Sequence, residues 1–249
     1  MMKVTVVGAS GLIGALLVGK LRQLGLEVIQ ASRSFGINTI TGDGLNVAMA
    51  GADIVIDVTN SASFGDSSAL DFFKVSTENL LAASVSADHY LALSVVGTPR
   101  LVESDYFRAK MVQENLIRAA RRPYTLLHST QFFEFISGII DQGADGDVLT
   151  LPSASVRPIA AADVVEILAE LAIGTPKNST VEIGGPEQFG LDEIALTNLA
   201  INEDTRQVIS DDRATYYGVK LNDDTLLPLK GARLASMHYV DWLYRSMAN

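Results

Sequence analysis

Tyr106 and Lys110 stand four apart in the run "SDYFRAKMVQENLIRAA", residues 104–120. Positions i and i+4 share one face of a helix. An ammonium beside a phenol favours the phenolate and lowers the tyrosine pKa towards working pH. A tyrosine so placed can give a proton to a substrate oxygen. The same spacing also suits the polar decoration of an amphipathic helix whose core residues are Met111, Leu116, Ile117 and Ala120. The choice turns on whether a cofactor sits in front of the pair. Ser94 precedes Tyr106 by 12 residues and falls at the carboxyl end of the strand-like run "HYLALSVVG". In an open parallel sheet, ligands bind beyond the carboxyl ends of the strands.

The elements that must position these residues follow from periodicity. "KVTVVGA", "EVIQAS", "ADIVIDVT", "HYLALSVVG" and "YTLLHS" read as strands, and the middle of the third is apolar throughout, as in a strand buried on both faces. Pro123 precedes the last, where it costs no ladder bond. Residues 12–24, 69–87 and 106–121 read as helices, the first with Leu12, Leu16, Leu17, Leu21 and Leu24 on one side. Strands alternating with helices predict βαβ units. The second half is less regular: "DGDVLTLP" and "STVEIGGPE" read as short strands, Asp163 as the N-cap of a helix ending near Gly174, and 192–203 as another helix. The expected fold is one α/β domain over 1–249, a doubly wound parallel (Rossmann) sheet. Residues 130–160 and 185–249 would contribute a small C-terminal substrate-covering part.

"VVGASGLIG" places Gly8, Gly11 and Gly14 between the first strand and the first helix. Such a turn needs residues without Cβ, lets a pyrophosphate approach bare backbone, and aims the helix N-terminus at the anion. Ser10, Gly11, Leu12, Ile13 and Gly14 are the expected contacts. In that context the glycine triplet predicts dinucleotide binding. The second strand ends in Ser32, Arg33 and Ser34, with no carboxylate to hold a ribose 2′-hydroxyl. An arginine flanked by serines suits a 2′-phosphate, so the expected cofactor is NADP(H). Asp43 is either a partner of the adenine amino group or a turn residue.

"GASGLIG", "LSVVG", "YFRAK", "STQFFEF", "RPIAAADVV" and "VEIGGPE" together resemble the short-chain dehydrogenases/reductases, most closely their atypical NmrA-like NAD(P)H-binding branch, over nearly the whole chain. The resemblance implies a catalytic set of Ser94, Tyr106 and Lys110. Tyr106 would protonate a carbonyl oxygen as hydride reaches its carbon, Lys110 would also hold the nicotinamide ribose, and Ser94 would hold the carbonyl oxygen. It also places Thr59, Asn60 and Ser61 at the nicotinamide side, and Ser129, Thr130 and Gln131 where relatives hold the carboxamide. Many relatives have a proline in that last segment, and this chain does not. "RPIAAADVV" is a packing motif in such a protein. The branch contains redox sensors as well as enzymes.

The remaining features narrow the reading. Phe132, Phe133 and Phe135 could wall an apolar pocket or fill the core; Tyr216, Tyr217 and Trp242 could form a lid or anchor the C-terminal segment. Net charge is −10 with no Lys/Arg cluster, which disfavours nucleic acid. There is no cysteine, so disulfides and thiolate chemistry are excluded. His89, His128 and His238 make no metal spacing, and no metal is expected. His128 lies near the site in sequence and reads as structural. No secretory pattern and no apolar run of 18 residues are seen, so the expected address is the cytoplasm, with no membrane partner. The expected activity is NADP-dependent reduction of a carbonyl, or oxidation of an alcohol, on a small organic substrate by a monomer or homodimer. The alternatives are an NADP(H)-sensing regulator without turnover and a carbon–carbon double-bond reductase, which would need the tyrosine but not the serine.

Overall fold

Short apolar runs rich in Val and Ile become strands, and the amphipathic segments between them become helices. The computed structural model describes residues 1–61 and 67–248. The chain runs β1 (Lys3–Val7), α1 (Leu12–Gln23), β2 (Glu27–Ala31), α2 (Leu45–Met49), β3 (Ile54–Asp57), α3 (Ser67–Ala83), β4 (His89–Val95), α4 (Asp105–Ala119) and β5 (Tyr124–Ser129). It continues with α5 (Ile136–Ile140), β6 (Ala144–Asp145), β7 (Val148–Leu151), β8 (Ser155–Val156), α6 (Ala161–Ile173), β9 (Ser179–Gly184), β10 (Phe189–Gly190) and α7 (Leu191–Ile201). The last elements are β11 (Gln207–Ser210), β12 (Thr215–Tyr216), β13 (Val219–Lys220), β14 (Arg233–Leu234) and α8 (Tyr239–Met247).

The central sheet is parallel, with seven strands in the order β14-β9-β5-β4-β3-β1-β2. β1 pairs with β2 on one side, Val7 against Ala31, and with β3 on the other, Val7 against Asp57. The chain thus winds outward first one way and then the other, and the order reverses between β1 and β3. This is the Rossmann-like doubly wound fold, whose ligand crevice opens at that reversal, beyond the strand ends.

The chain forms two compact units. One holds Met1–Ser94, Asp105–His128 and Val164–Val181; the other holds Val95–Ser104, Ser129–Asp163 and Glu182–Asn249. The core of the first includes Val7, Ala31, Val55, Leu80, Tyr90, Ile117 and Leu126. In the second, β11 runs parallel to β7 and β6 antiparallel to it. Phe133 there packs on Tyr239 and Trp242, with ring centroids 5.0 and 5.6 Å away.

Three expectations are corrected. Helix α1 buries Ile13, Gly14, Leu17, Val18 and Leu21, while Leu12, Leu16 and Leu24 are exposed. Leu17 and Leu21 belong to either face, so spacing could not choose between the flanks. Asp163 lies inside α6, where its carboxylate accepts from Met237 N at 3.1 Å. Glu134, distant in sequence, accepts from Ala161 N at 3.2 Å at the start of that helix. Of the core residues named for the alternative, amphipathic reading of α4, Ile117 is buried while Met111 and Leu116 are half-buried and Ala120 is exposed; Lys110, Gln113 and Glu114 are buried instead, beside Tyr106, Phe107 and Ala109.

Candidate active site

The glycine turn is built by contact as much as by conformation. Gly8 has φ +85°, and a Cβ there would lie 2.9 Å from the Val58 carbonyl oxygen after β3. A Cβ on Gly14 would lie 2.1 Å from the Gly8 oxygen, so only glycine lets α1 start this close to β1. Gly11 differs. It is exposed, its φ is −80°, and an added Cβ would meet only the Gly8 oxygen, at 3.4 Å. The protein itself makes little demand for glycine at that point. Gly11 is also the N-cap of α1 and supplies no side-chain cap, so Ser10, Gly11, Leu12, Ile13 and Gly14 frame an uncapped helix N-terminus. Bare backbone and uncapped N–H groups suit a pyrophosphate.

Beyond β2, Ser32 and Ser34 share a hydroxyl hydrogen bond of 2.8 Å. Arg33 between them is exposed, and its guanidinium has no partner among the described residues. These groups suit a phosphate monoester. Asp43 accepts from the Thr41 hydroxyl at 2.6 Å, as a turn residue does.

The chain leaving β3 is fixed by Asp57, which is 1% exposed. Its Oδ1 accepts from Thr59 N at 3.0 Å and Thr59 Oγ1 at 2.7 Å. Asn60 Oδ1 then accepts from Ser61 N and from the Tyr106 hydroxyl, each at 3.0 Å. Tyr106 is almost covered, its ring edge-on to Phe73 and Phe107.

Lys110, one helical turn on, is 2% exposed. Its Nζ donates to the Leu93 carbonyl at 2.9 Å and to Gln113 Oε1, and it lies 4.6 Å from the centre of the Phe73 ring. Burial lowers its pKa from 10.5 to about 8, against the opposing pull of Asp57 and Glu114. Gln113 Nε2 donates to Asp57 Oδ2 at 2.9 Å, and the Tyr90 hydroxyl donates to the same oxygen at 3.1 Å.

Ser94 Oγ donates to Glu114 Oε1 at 2.6 Å. His128 Nε2 lies 2.9 Å from the same oxygen, and Arg118 Nη2 donates to Oε2 at 2.8 Å. Burial pushes the Glu114 carboxyl up, but His128, Ser94 and Arg118 outweigh it and hold its pKa down at about 2. Glu114 is therefore a carboxylate throughout the working range. The first unit thus brings together the turn Gly8–Gly14, the segment Thr59–Ser61, and Ser94, Tyr106 and Lys110.

In the second unit, Ser129 Oγ donates to the Thr130 carbonyl at 3.0 Å, and Thr130 N to the Ile183 carbonyl at 3.1 Å. The buried amide of Gln131 has no partner among the described residues. Arg157 is spent on the carbonyls of Gly185 and Pro186, each at 3.3 Å. Phe133 is buried, whereas Phe135 is exposed and 5.5 Å from Phe132. Trp242 belongs to the cluster that seats α8, the anchoring role. His89 pairs with Thr125 and His238 with Glu187. Among the described residues, no group of three or more His, Asp or Glu side chains is arranged to hold a metal, and no helix is long and apolar enough to cross a membrane.

Asp57, Gln113 and Glu114 were not legible as site residues. Asp57 ends a strand whose side chains otherwise read as apolar, and its only sequence signal is a carboxylate at that strand end. Gln113 and Glu114 stand three and four residues after Lys110, on its helix face, which is a weak signal by itself.

No protein-family model matches the sequence, and no curated protein matches it in sequence. Solved structures match its fold. A short-chain dehydrogenase/reductase superfamily protein from Agrobacterium tumefaciens with bound NAD superposes with a TM-score of 0.73 at 15% identity, over 99% of this chain and 96% of that one. UDP-glucose 4-epimerase from Thermus thermophilus, in complex with NAD, gives 0.67 at 17% identity, over 84% and 86%. dTDP-4-dehydrorhamnose reductase from Bacillus anthracis, in complex with NADP, gives 0.66 at 14% identity, over 87% and 88%. The chain therefore has the fold of short-chain dehydrogenases/reductases.

Proposed function

We propose that this protein is an NADP-dependent oxidoreductase of the NmrA-like kind, which reduces a carbonyl or oxidises an alcohol on a small organic substrate. The observation that carries this is the convergence of an uncapped glycine turn and Tyr106 on the strand ends of one unit. The fold's neighbours in complex with NAD and NADP support a nicotinamide dinucleotide. Arg33, flanked by Ser32 and Ser34, supports the 2′-phosphate form. Ser10, Gly11, Leu12, Ile13 and Gly14 would hold the pyrophosphate, and Thr59, Asn60 and Ser61 the nicotinamide end. The acidic net charge supports a small-molecule partner over nucleic acid. Residues 130–160 and 185–249 are the proposed carriers of substrate specificity, in a cytoplasmic monomer or homodimer.

When bound, the nicotinamide supplies or accepts hydride. Tyr106 turns its hydroxyl away from Asn60 Oδ1 and gives its own proton to the carbonyl oxygen of the substrate. Lys110, charged below about pH 8, stands one helical turn from Tyr106 on the same face. Ser94 can donate to a substrate carbonyl only by giving up Glu114. That bond favours, as a second reading, reduction of a carbon–carbon double bond, which needs no serine. The hydrogen bonds that hold Lys110 inside the protein favour a third, an NADP(H) sensor without turnover.

A panel of ketones, aldehydes and enones followed at 340 nm with NADPH separates the three. On an accepted substrate, Tyr106→Phe should lose at least about a hundredfold in kcat while still binding cofactor. Unchanged turnover in that variant would remove Tyr106 as the acid.

A further inference from the structure

Asp57 offers two oxygens, and they serve different parts of the site. Through Oδ1 it folds Thr59 back on the end of β3, which sets Asn60, the acceptor of the Tyr106 hydroxyl. Through Oδ2 it takes the amide of Gln113, whose other end takes the Lys110 ammonium. An amide has one donating and one accepting end, so a carboxylate on one side and an ammonium on the other fix its orientation. The hydrogen-bonded path Tyr106–Asn60, Thr59–Asp57 and Gln113–Lys110 is closed by the helix, because Tyr106 and Lys110 are one turn apart.

We propose that Asp57 is a positioning residue: it holds Lys110 through Gln113 and the Tyr106 hydroxyl through Thr59 and Asn60, so one buried carboxylate sets both members of the pair. The proposal rests on reading Tyr106 and Lys110 as the chemical pair. A carboxylate this deep is costly unless its charge is answered. The facing cation is Lys110, reached through an amide rather than by direct contact. Among the described residues, the charged and titratable groups facing that ammonium are Asp57 from β3, Glu114 from its own helix, and Tyr90 from β4 by way of Asp57, with the uncharged Phe73 ring from α3. Glu114 is already engaged by Arg118, His128 and Ser94. Among the described residues, Asp57 accepts from neutral donors alone, Thr59, Gln113 and Tyr90, so its charge remains for Lys110.

The test is NMR on the full chain labelled at lysine 13Cε and tyrosine 13Cζ, with signals assigned by loss in Lys110→Met and Tyr106→Phe. Asp57→Asn keeps the shape and removes the charge. It should lower the Lys110 titration midpoint by about one pH unit and move the Tyr106 13Cζ signal. Gln113→Glu should raise the Lys110 midpoint, and Thr59→Val should move only the Tyr106 signal. Opposite shifts at Lys110 are not what general loosening produces. The last two variants test each arm separately if Asp57→Asn fails to fold. A Lys110 midpoint and a Tyr106 signal unmoved in these variants would overturn the proposal. If the shifts appear but the parent protein turns over no carbonyl, the oxidoreductase reading fails and the role of Asp57 stands. Turnover without the shifts would do the reverse.

Discussion

Helices α1 and α4 each follow a strand of the first unit and bury one face, but they bury different chemistry. Helix α1 buries Ile13, Leu17, Val18 and Leu21, and any side chain of similar shape would serve. Helix α4 buries Tyr106, Phe107, Ala109 and Ile117, but also Lys110, Gln113 and Glu114, each tied to a specific partner: the Leu93 carbonyl, Asp57, and the group of Ser94, His128 and Arg118. The first face works by area alone, and the second adds matched donors and acceptors to area. A polar face of that kind is expensive to bury, and a stable alternative in Leu and Ile is chemically simple. Its presence at the strand ends, next to Tyr106, is what a site would require.

The largest expected effect tests that contrast with two shape-conserving changes. Glu114→Gln leaves Arg118 and His128 facing a neutral amide and should cost about 3 kcal/mol in urea unfolding. Leu17→Met should cost less than about 1.5 kcal/mol. Equal costs would erase the distinction between the two helices.

Lys110 sharpens it through pH. Above about pH 8 the folded protein has lost this proton, while the unfolded chain keeps it to about 10.5. The unfolded state then binds more protons, so stability rises with pH in that window. Between pH 8 and 10 the wild type should gain up to about 2 kcal/mol relative to Lys110→Met. Parallel stability curves would mean that the ammonium is not buried as described.

The smallest effect lies away from both helices. Arg33→Asp should shift preference from NADPH towards NADH by about tenfold, read as the ratio of dissociation constants. An unmoved ratio would clear Arg33 of contact with the 2′-phosphate.

The same contrast explains what could be read from the sequence. β1, the glycine turn and the strand–helix alternation were legible because apolar periodicity and glycine spacing are patterns of neighbours in sequence. The inward face of α1 was half legible, since Leu17 and Leu21 fit two faces. The set Tyr106, Lys110 and Ser94 was nameable from spacing and resemblance. The partners that decide what those side chains are doing were not. Asp57 lies 56 residues before Gln113, and Glu114 lies 20 after Ser94. No local pattern marks a polar group whose partner arrives through the fold. The small strands after residue 204 were also missed, since β11 pairs with β7 across the same kind of distance.

The central claim is that the turn Gly8–Gly14 and the loop Ser32–Ser34 hold a nicotinamide dinucleotide in front of Tyr106. Calorimetric titration of the full chain with NADPH, beside NADH, tests it most directly. Saturable one-to-one binding, tighter for NADPH, is the predicted result. Binding of neither cofactor would contradict the account at its root.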